Sequence, residues 1–297
     1  MSTSAPALLA ELPETQATGR IATIYDEIRR FSGVPYVSSL QRYLATLPGV
    51  LEWAWGTLRP AMVSGVIPET GWRLAGDTSL PPASPLSTTL IREWRVDAAG
   101  LAAIRNIAAN FVRVSPVNLV TGACIRLLLT RAAPSAPGPS RPGPSGAGSS
   151  GPGLAGAWTP PAMLPPMPGN VDPNALPPEQ RSVLMRFATE VAGTPFVPAL
   201  YRQVAHWPPV LAWLADELAP RRAASETAAA RAAFQSAAKD AAPGIVANLR
   251  ALPGDTPPDA DTAERVLAAV ARYAETSPEM TLFGQLMLDA LPLPGAL

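Results

Sequence analysis

Histidine and cysteine carry much of the nucleophilic, redox and metal chemistry of proteins, and this chain of 297 residues has one of each, His206 and Cys124. A single cysteine excludes an internal disulfide, a dithiol redox pair and a multi-cysteine metal site. A single histidine excludes the usual histidine metal clusters, so no metal is expected. A glycine-rich phosphate loop with its lysine is absent, as are the G-x-G-x-x-G and G-x-S-x-G motifs, and no cofactor is expected. Cys124 lies in the apolar run Gly122-Ala123-Cys124-Ile125, the setting of a buried structural thiol. His206, in Ala205-His206-Trp207-Pro208, reads as a polar residue at a helix end, where its cationic form suits the dipole. Arg42 and Arg202 each present a guanidinium fork able to hold a carboxylate. They stand at equivalent positions of an internal repeat, which favours a structural salt bridge common to two units. Trp53, Trp55, Trp207 and Trp213 fall in or beside helical segments and read as core. Asp216 and Glu217 read as a solvated helix face.

These side chains must be positioned by a globular framework. Hydrophobic residues make up 47% and charged residues 15%, too apolar a balance for a disordered chain. The formal net charge is zero, so nothing draws the chain to nucleic acid or to an anionic membrane surface. Met1-Ser2-Thr3-Ser4 does not begin a basic region followed by an apolar core, and no uncharged apolar run reaches about 18 residues. No spanning helix and a cytoplasmic location are therefore expected.

The framework is duplicated. Gly33-Val34-Pro35-Tyr36-Val37 recurs as Gly193-Thr194-Pro195-Phe196-Val197, and Leu40, Arg42 and Ala45 recur as Leu200, Arg202 and Ala205. Pro48, Val50, Leu51, Trp53, Leu58 and Pro60 recur 160 residues later in the same order. Twelve of 28 consecutive positions match without a gap, more than chance supplies. A second block pairs Leu101-Ala102-Ala103-Ile104 with Leu267-Ala268-Ala269-Val270, and Ser115-Pro116 with Ser277-Pro278. Ile21, Ile24, Tyr25, Ile28 and Phe31 form an amphipathic helical stripe, with Gly33 as its C-terminal cap. Pro48 and Pro208 suit the first turn of a following helix, and each Ser-Pro pair has the form of an N-cap and first helical residue. Residues 223–241 are alanine-rich and helical. Strand-like alternation is scarce. The expected fold is all-α, with two tandem pseudo-symmetric helical units at 1–131 and 177–297. Between them, residues 132–176 read as a disordered Pro/Gly/Ser-rich linker, whose stretch from Trp158 to Pro168 carries apolar side chains that suit packing against a unit.

The blocks Ile24-Tyr25-Asp26-Glu27-Ile28-Arg29, Val34-Pro35-Tyr36-Val37 and Leu44-Ala45-Thr46-Leu47-Pro48-Gly49 give the chain its resemblance to a known family. Together with Trp207-Pro208, Val210-Leu211 and Glu217-Leu218-Ala219-Pro220, they resemble the group I 2-haloacid dehalogenases, the DehI type, over most of the chain outside the linker. A more distant likeness is to the AhpD-like helical fold, whose peroxidases use a cysteine pair absent here. The resemblance implies a bacterial, two-unit all-α hydrolase, usually a homodimer, that removes halide from 2-halocarboxylic acids of either hand. In that family an aspartate activates a water, an asparagine helps to hold it, and the site lies between the units.

At those two positions this chain departs from the pattern. The aspartate position is Ala199 or Leu200, and no acidic residue occurs from Val191 to Ala215. The asparagine position is Ser115. The pocket candidates are Tyr36, Ser39, Ser115, Leu200 and Tyr201. Loss of a general base removes about 10²–10⁴ in rate. Three readings stay open: a dehalogenase working through a displaced base such as Glu52 or Asp216, a non-catalytic protein that binds a small carboxylate or apolar ligand, and a different enzyme using Ser115, Tyr36, Tyr201 or His206.

Overall fold

A computed structural model describes residues 10–132, 158–191, 194–247, 249–250 and 255–297. Gly193 of the repeat and the linker from residue 133 to 157 lie outside the described residues. The fold is all-α. Its helices are α1 (Gly19–Ser32), α2 (Ser39–Leu44), α3 (Val50–Val63), α4 (Val66–Gly76), α5 (Thr88–Glu93), α6 (Ala98–Ala132), α7 (Pro178–Met185), α8 (Ala199–Val204), α9 (Pro208–Arg222), α10 (Ser225–Val246) and α11 (Ala260–Ala290). Among the described residues the only sheet is an antiparallel pair, β1 (Thr189–Val191) and β2 (Thr194–Phe196), with Thr189 opposite Phe196.

Local sequence accounts for much of this. The stripe of α1 buries Ile24, Tyr25, Ile28 and Phe31. Gly33 then adopts φ 65° and returns its N–H to the Arg29 carbonyl at 2.9 Å, a left-handed C-terminal cap that a Cβ would strain. The alanine-rich segment forms α10. Pro208 opens α9 as expected, whereas Pro48 stands outside α3, which begins after Gly49 in a left-handed conformation.

The two Ser-Pro pairs do not start helices. Pro116 lies inside the 35-residue α6, and Pro278 inside the 31-residue α11. A mid-helix proline removes one backbone bond and crowds the carbonyl four residues back, and side chains from neighbouring helices cover the disturbed carbonyls. Gln235 Nε2 donates to the Ala274 carbonyl at 2.7 Å, and Arg231 donates to that of Glu275 at 2.7 Å. Near Pro116, Trp72 Nε1 donates to the Arg113 carbonyl at 2.8 Å. Tertiary contacts thus let each helix continue through its proline.

At about 1.5 Å per residue, α6 and α11 are each longer than one core is wide, and each serves two. The first core joins α1–α4 and the later half of α6 (Val117 to Leu129) to Phe234, Ala238 and Ala242 of α10 and to Val266, Ala269 and Val270 of α11. The second joins α7–α9 and the later half of α11 (Met280 to Ala290) to α5 and to Leu101, Ile104 and Ile107 of α6. Boundaries drawn at the linker therefore cut through both cores. The prolines sit where each long helix passes from one core to the other.

The later part of the expected disordered linker is placed. Trp158 packs over Gly65 and lies 6.5 Å from the Phe31 ring, and Leu164 N–H donates to the Gly33 carbonyl at 3.0 Å. Asn106 Nδ2 donates to the carbonyls of Pro165 and Pro166, and Val171 N–H to that of Arg202. Apolar side chains and backbone hydrogen bonds together hold this strap.

By length and composition α6 could cross a membrane, but 67% of its most apolar window is buried within the protein, as a core helix requires. Cys124 is fully buried on this helix, and burial pushes its thiol up to about 12. At pH 8 the thiol is held in its unreactive protonated form. Native protein is expected to resist iodoacetamide at pH 8 and to react once unfolded in urea. Alkylation of native protein at the denatured rate would contradict this placement.

Candidate functional site

At the junction of the two cores lies a cavity of about 420 Å³, lined from both halves of the chain. The loop before α2 contributes Tyr36, and α2 contributes Ser39 and Arg42. From α6 come Phe111, Val114 and Ser115. The second half supplies Phe196 from β2, Ala199, Arg202 and Gln203 from α8, and Arg272, Tyr273, Ser277 and Met280 from α11. Met167 and Asn170 of the strap and Glu11 of the N-terminal segment complete the wall. The prolines place Ser115 and Ser277 here, where each long helix changes cores.

Of the pocket residues expected from sequence, Tyr36, Ser39 and Ser115 line this cavity. Leu200 and Tyr201 do not. Successive helical residues are rotated by about 100°, so when Ala199 faces the cavity its two successors turn into the second core. Leu200 is fully buried there, as Leu40 is in the first core. Tyr201 stacks on Phe187 at 3.9 Å between ring centres and donates to Glu279 at 2.7 Å. Ala199 is therefore the cavity-facing member of the Ala199/Leu200 pair. Neither candidate for a displaced base lines the cavity. Glu52 borders an outer cleft with Arg20 and Asp255, and Asp216 is exposed and paired with Arg186 at 2.7 Å. His206 is exposed, with Nε2 2.9 Å from the Gly169 carbonyl, so it fastens the strap and is not part of the wall.

The wall is polar on one side. Among the described residues, Arg42, Arg202 and Arg272 line it together with one carboxylate, Glu11. Oε2 of Glu11 accepts from Arg42 Nε at 2.9 Å and from Nη2 at 2.6 Å. Arg42 Nη1 donates to the Val37 carbonyl at 2.5 Å. A buried chain of amides stands behind Tyr273: Ser38 bonds Gln41, Gln41 Nε2 donates to Asn118 Oδ1 at 2.8 Å, and Asn118 Nδ2 donates to the Tyr273 hydroxyl at 3.2 Å. Ser38 and Ser277 also lie within hydrogen-bonding reach of that hydroxyl. Burial raises the pKa of Tyr273, and raises that of Tyr36 well above the ordinary phenol value, so both stay neutral donors near pH 7. The oxygens Tyr36 Oη and Gln203 Oε1 are buried without a hydrogen-bond partner. Buried polar atoms rarely stay so, and both belong to this wall.

Sequence reasoning missed Glu11, Gln203, Arg272 and the Gln41–Asn118–Tyr273 chain. Asn118 had a signal, an amide within an apolar helical run, whereas Glu11 precedes the first helix and had none. Among the described residues no group of three His, Cys, Asp or Glu could hold a metal ion. The arrangement can accept an anion through guanidinium and phenol donors. Among the described residues a water in it would meet Glu11 as the one carboxylate of the wall, and that group is committed to Arg42.

No protein-family model matches the chain, and no curated protein matches it. Solved structures do. A D-2-haloacid dehalogenase mutant in complex with D-2-CPA superposes with a TM-score of 0.61 at 17% identity, covering 97% of this chain and 96% of that one. A D-2-haloacid dehalogenase in complex with L-LA gives 0.58 at 21% identity over 97% and 94% of the two chains. A further D-2-haloacid dehalogenase mutant gives 0.57 at 22% over the same shares. The likeness extends over nearly the whole of both chains and not over one part of them: this chain has the fold of the D-2-haloacid dehalogenases.

Proposed function

We propose that this chain binds a small organic acid in the cavity between its two cores, and that activating a water against a 2-haloacid is not among its activities. One observation carries the reading: among the described residues the one carboxylate that lines the cavity, Glu11, is already paired with Arg42, while Arg202 lines it with no carboxylate of its own. A general base must reach the attacking water with a free lone pair. Ala199 offers none, and Ser115 stands where the resemblance puts a water-holding amide. The family likeness is read here as a shared scaffold with altered chemistry, since fold alone does not carry function.

The direct test is halide release. With D- or L-2-chloropropionate the unaltered protein is expected to release no halide above the uncatalysed rate, while either acid raises its melting temperature saturably. The double variant Ala199→Asp with Ser115→Asn returns a carboxylate and an amide to the wall and is expected to begin releasing halide from at least one enantiomer. Halide release by the unaltered protein that disappears in Glu11→Gln would overturn the proposal, because Glu11 would then be the base.

A further inference from the structure

The two repeat-matched arginines of the cavity are not in the same state. Each lies beneath an extended segment that docks in the same way: Leu12 N–H donates to the Arg42 carbonyl at 3.0 Å, and Val171 N–H to the Arg202 carbonyl at 3.2 Å. The residue before each docking point reaches the cavity. In the first case it is Glu11, which takes Nε and Nη2 of Arg42. In the second it is Asn170, which has no charge to give. Arg202 uses Nε on the Val171 carbonyl at 2.9 Å, and among the described residues its two terminal nitrogens have no partner. One guanidinium is neutralised by the chain itself and the matched one is left for a ligand. Gln203, the next residue, is 7% exposed and keeps Oε1 without a partner, a second sign that the polar end is incomplete.

The rest of the cavity limits the body of that ligand. Phe111, Val114, Phe196, Met167 and Met280 give it an apolar side, and about 420 Å³ falls in the range of pockets that enclose ligands well above three-carbon size. Resting on the reading of this cavity as an acid-binding site, we propose that Arg202 is the anchor for the ligand's carboxylate and that the occupant is a monocarboxylic acid with an aryl or branched-alkyl body. Glu11 closes the Arg42 corner to a second carboxylate, which disfavours diacids.

Calorimetric titration with 3-phenylpropionate, propionate and the neutral 3-phenylpropanamide tests this. A charge-assisted pair in a desolvated site changes affinity by about tenfold to a hundredfold. 3-Phenylpropionate is expected to bind at least tenfold more tightly than either propionate or the amide. Arg202→Gln is expected to weaken it at least tenfold. Because that change also frees the strap at Val171, a second variant, Asn170→Glu, keeps the arginine and supplies it with the partner that Arg42 already has. It is expected to weaken binding to a similar degree. If both variants bind 3-phenylpropionate as the parent does, the anchor is misassigned although the acid-binding reading stands. Equal affinity for propionate and 3-phenylpropionate overturns the assignment of the body. If no acid binds the parent, the reading of the cavity falls and this inference with it.

Discussion

Glu279→Ala is expected to lower the unfolding free energy by about 3–5 kcal/mol, with the urea midpoint as the measurement. The Glu279 side chain is 3% exposed in α11, and three groups close on it. The Tyr201 hydroxyl donates to Oε1 at 2.7 Å, Arg222 Nε lies 3.0 Å from the same oxygen, and Arg231 Nη1 lies 3.5 Å from Oε2. Removing one member of such a cluster costs more than its net attraction, because the partners stay behind without compensation. Here two guanidiniums from α9 and α10 would face each other, the Arg222 side chain 13% exposed, and Tyr201 would hold a buried hydroxyl with no acceptor. Glu279→Gln keeps an acceptor for Tyr201 and loses the charge, so it is expected to cost less than the alanine. Glu279 is outside the cavity wall, so at low temperature, where the variant is still folded, ligand affinity is expected to stay at the parent level. A loss below about 1 kcal/mol, the range of exposed pairs, would show that the cluster is solvated.

Gly71→Ala acts in the opposite way, by adding an atom where none fits. Gly71 is on the face of α4 that meets α6 at its proline. A Cβ there would stand 2.8 Å from the Pro116 carbonyl carbon, 2.9 Å from its oxygen and 2.9 Å from the Val117 nitrogen. All three are backbone atoms, so no rotamer change relieves the contact and one helix must move. Overpacking of this kind costs about 1–3 kcal/mol, and the better helix propensity of alanine returns up to about 1 kcal/mol. A net loss of about 1 kcal/mol is expected. Gly244→Ala serves as the control: it is also helical, a Cβ there meets nothing within 4 Å, and it is expected to stabilise by up to about 1 kcal/mol. The same shift of Pro116 would displace Ser115 in the cavity wall, so ligand affinity should fall in the folded Gly71→Ala protein and remain unchanged in Gly244→Ala. Equal stability of the two variants would remove the close approach of α4 and α6 from the account.

The amino-acid sequence determined what depends on near neighbours. The apolar spacing of α1, the glycine that ends it, the proline that opens α9 and the alanine-rich run of α10 are all short-range patterns, and each formed the expected element. The absence of an acidic residue near Ala199 was visible for the same reason, whereas the matched spacing of Arg42 and Arg202 suggested a structural salt bridge in each half and among the described residues only Arg42 has one. Tertiary structure decided the rest. A Ser-Pro pair usually begins a helix, but Gln235, Arg231 and Trp72 reach the disturbed carbonyls from other helices, and so the helices run on through Pro116 and Pro278. Whether Ala199 or Leu200 faces the cavity turned on one helical step of about 100°, which spacing alone leaves undecided. The two cores exchange halves of α6 and α11 because those helices are longer than either core. Glu11 and Asn170 make the two arginines unequal, and that difference arises only when two extended segments, distant in sequence from the helices they cross, settle against α2 and α8.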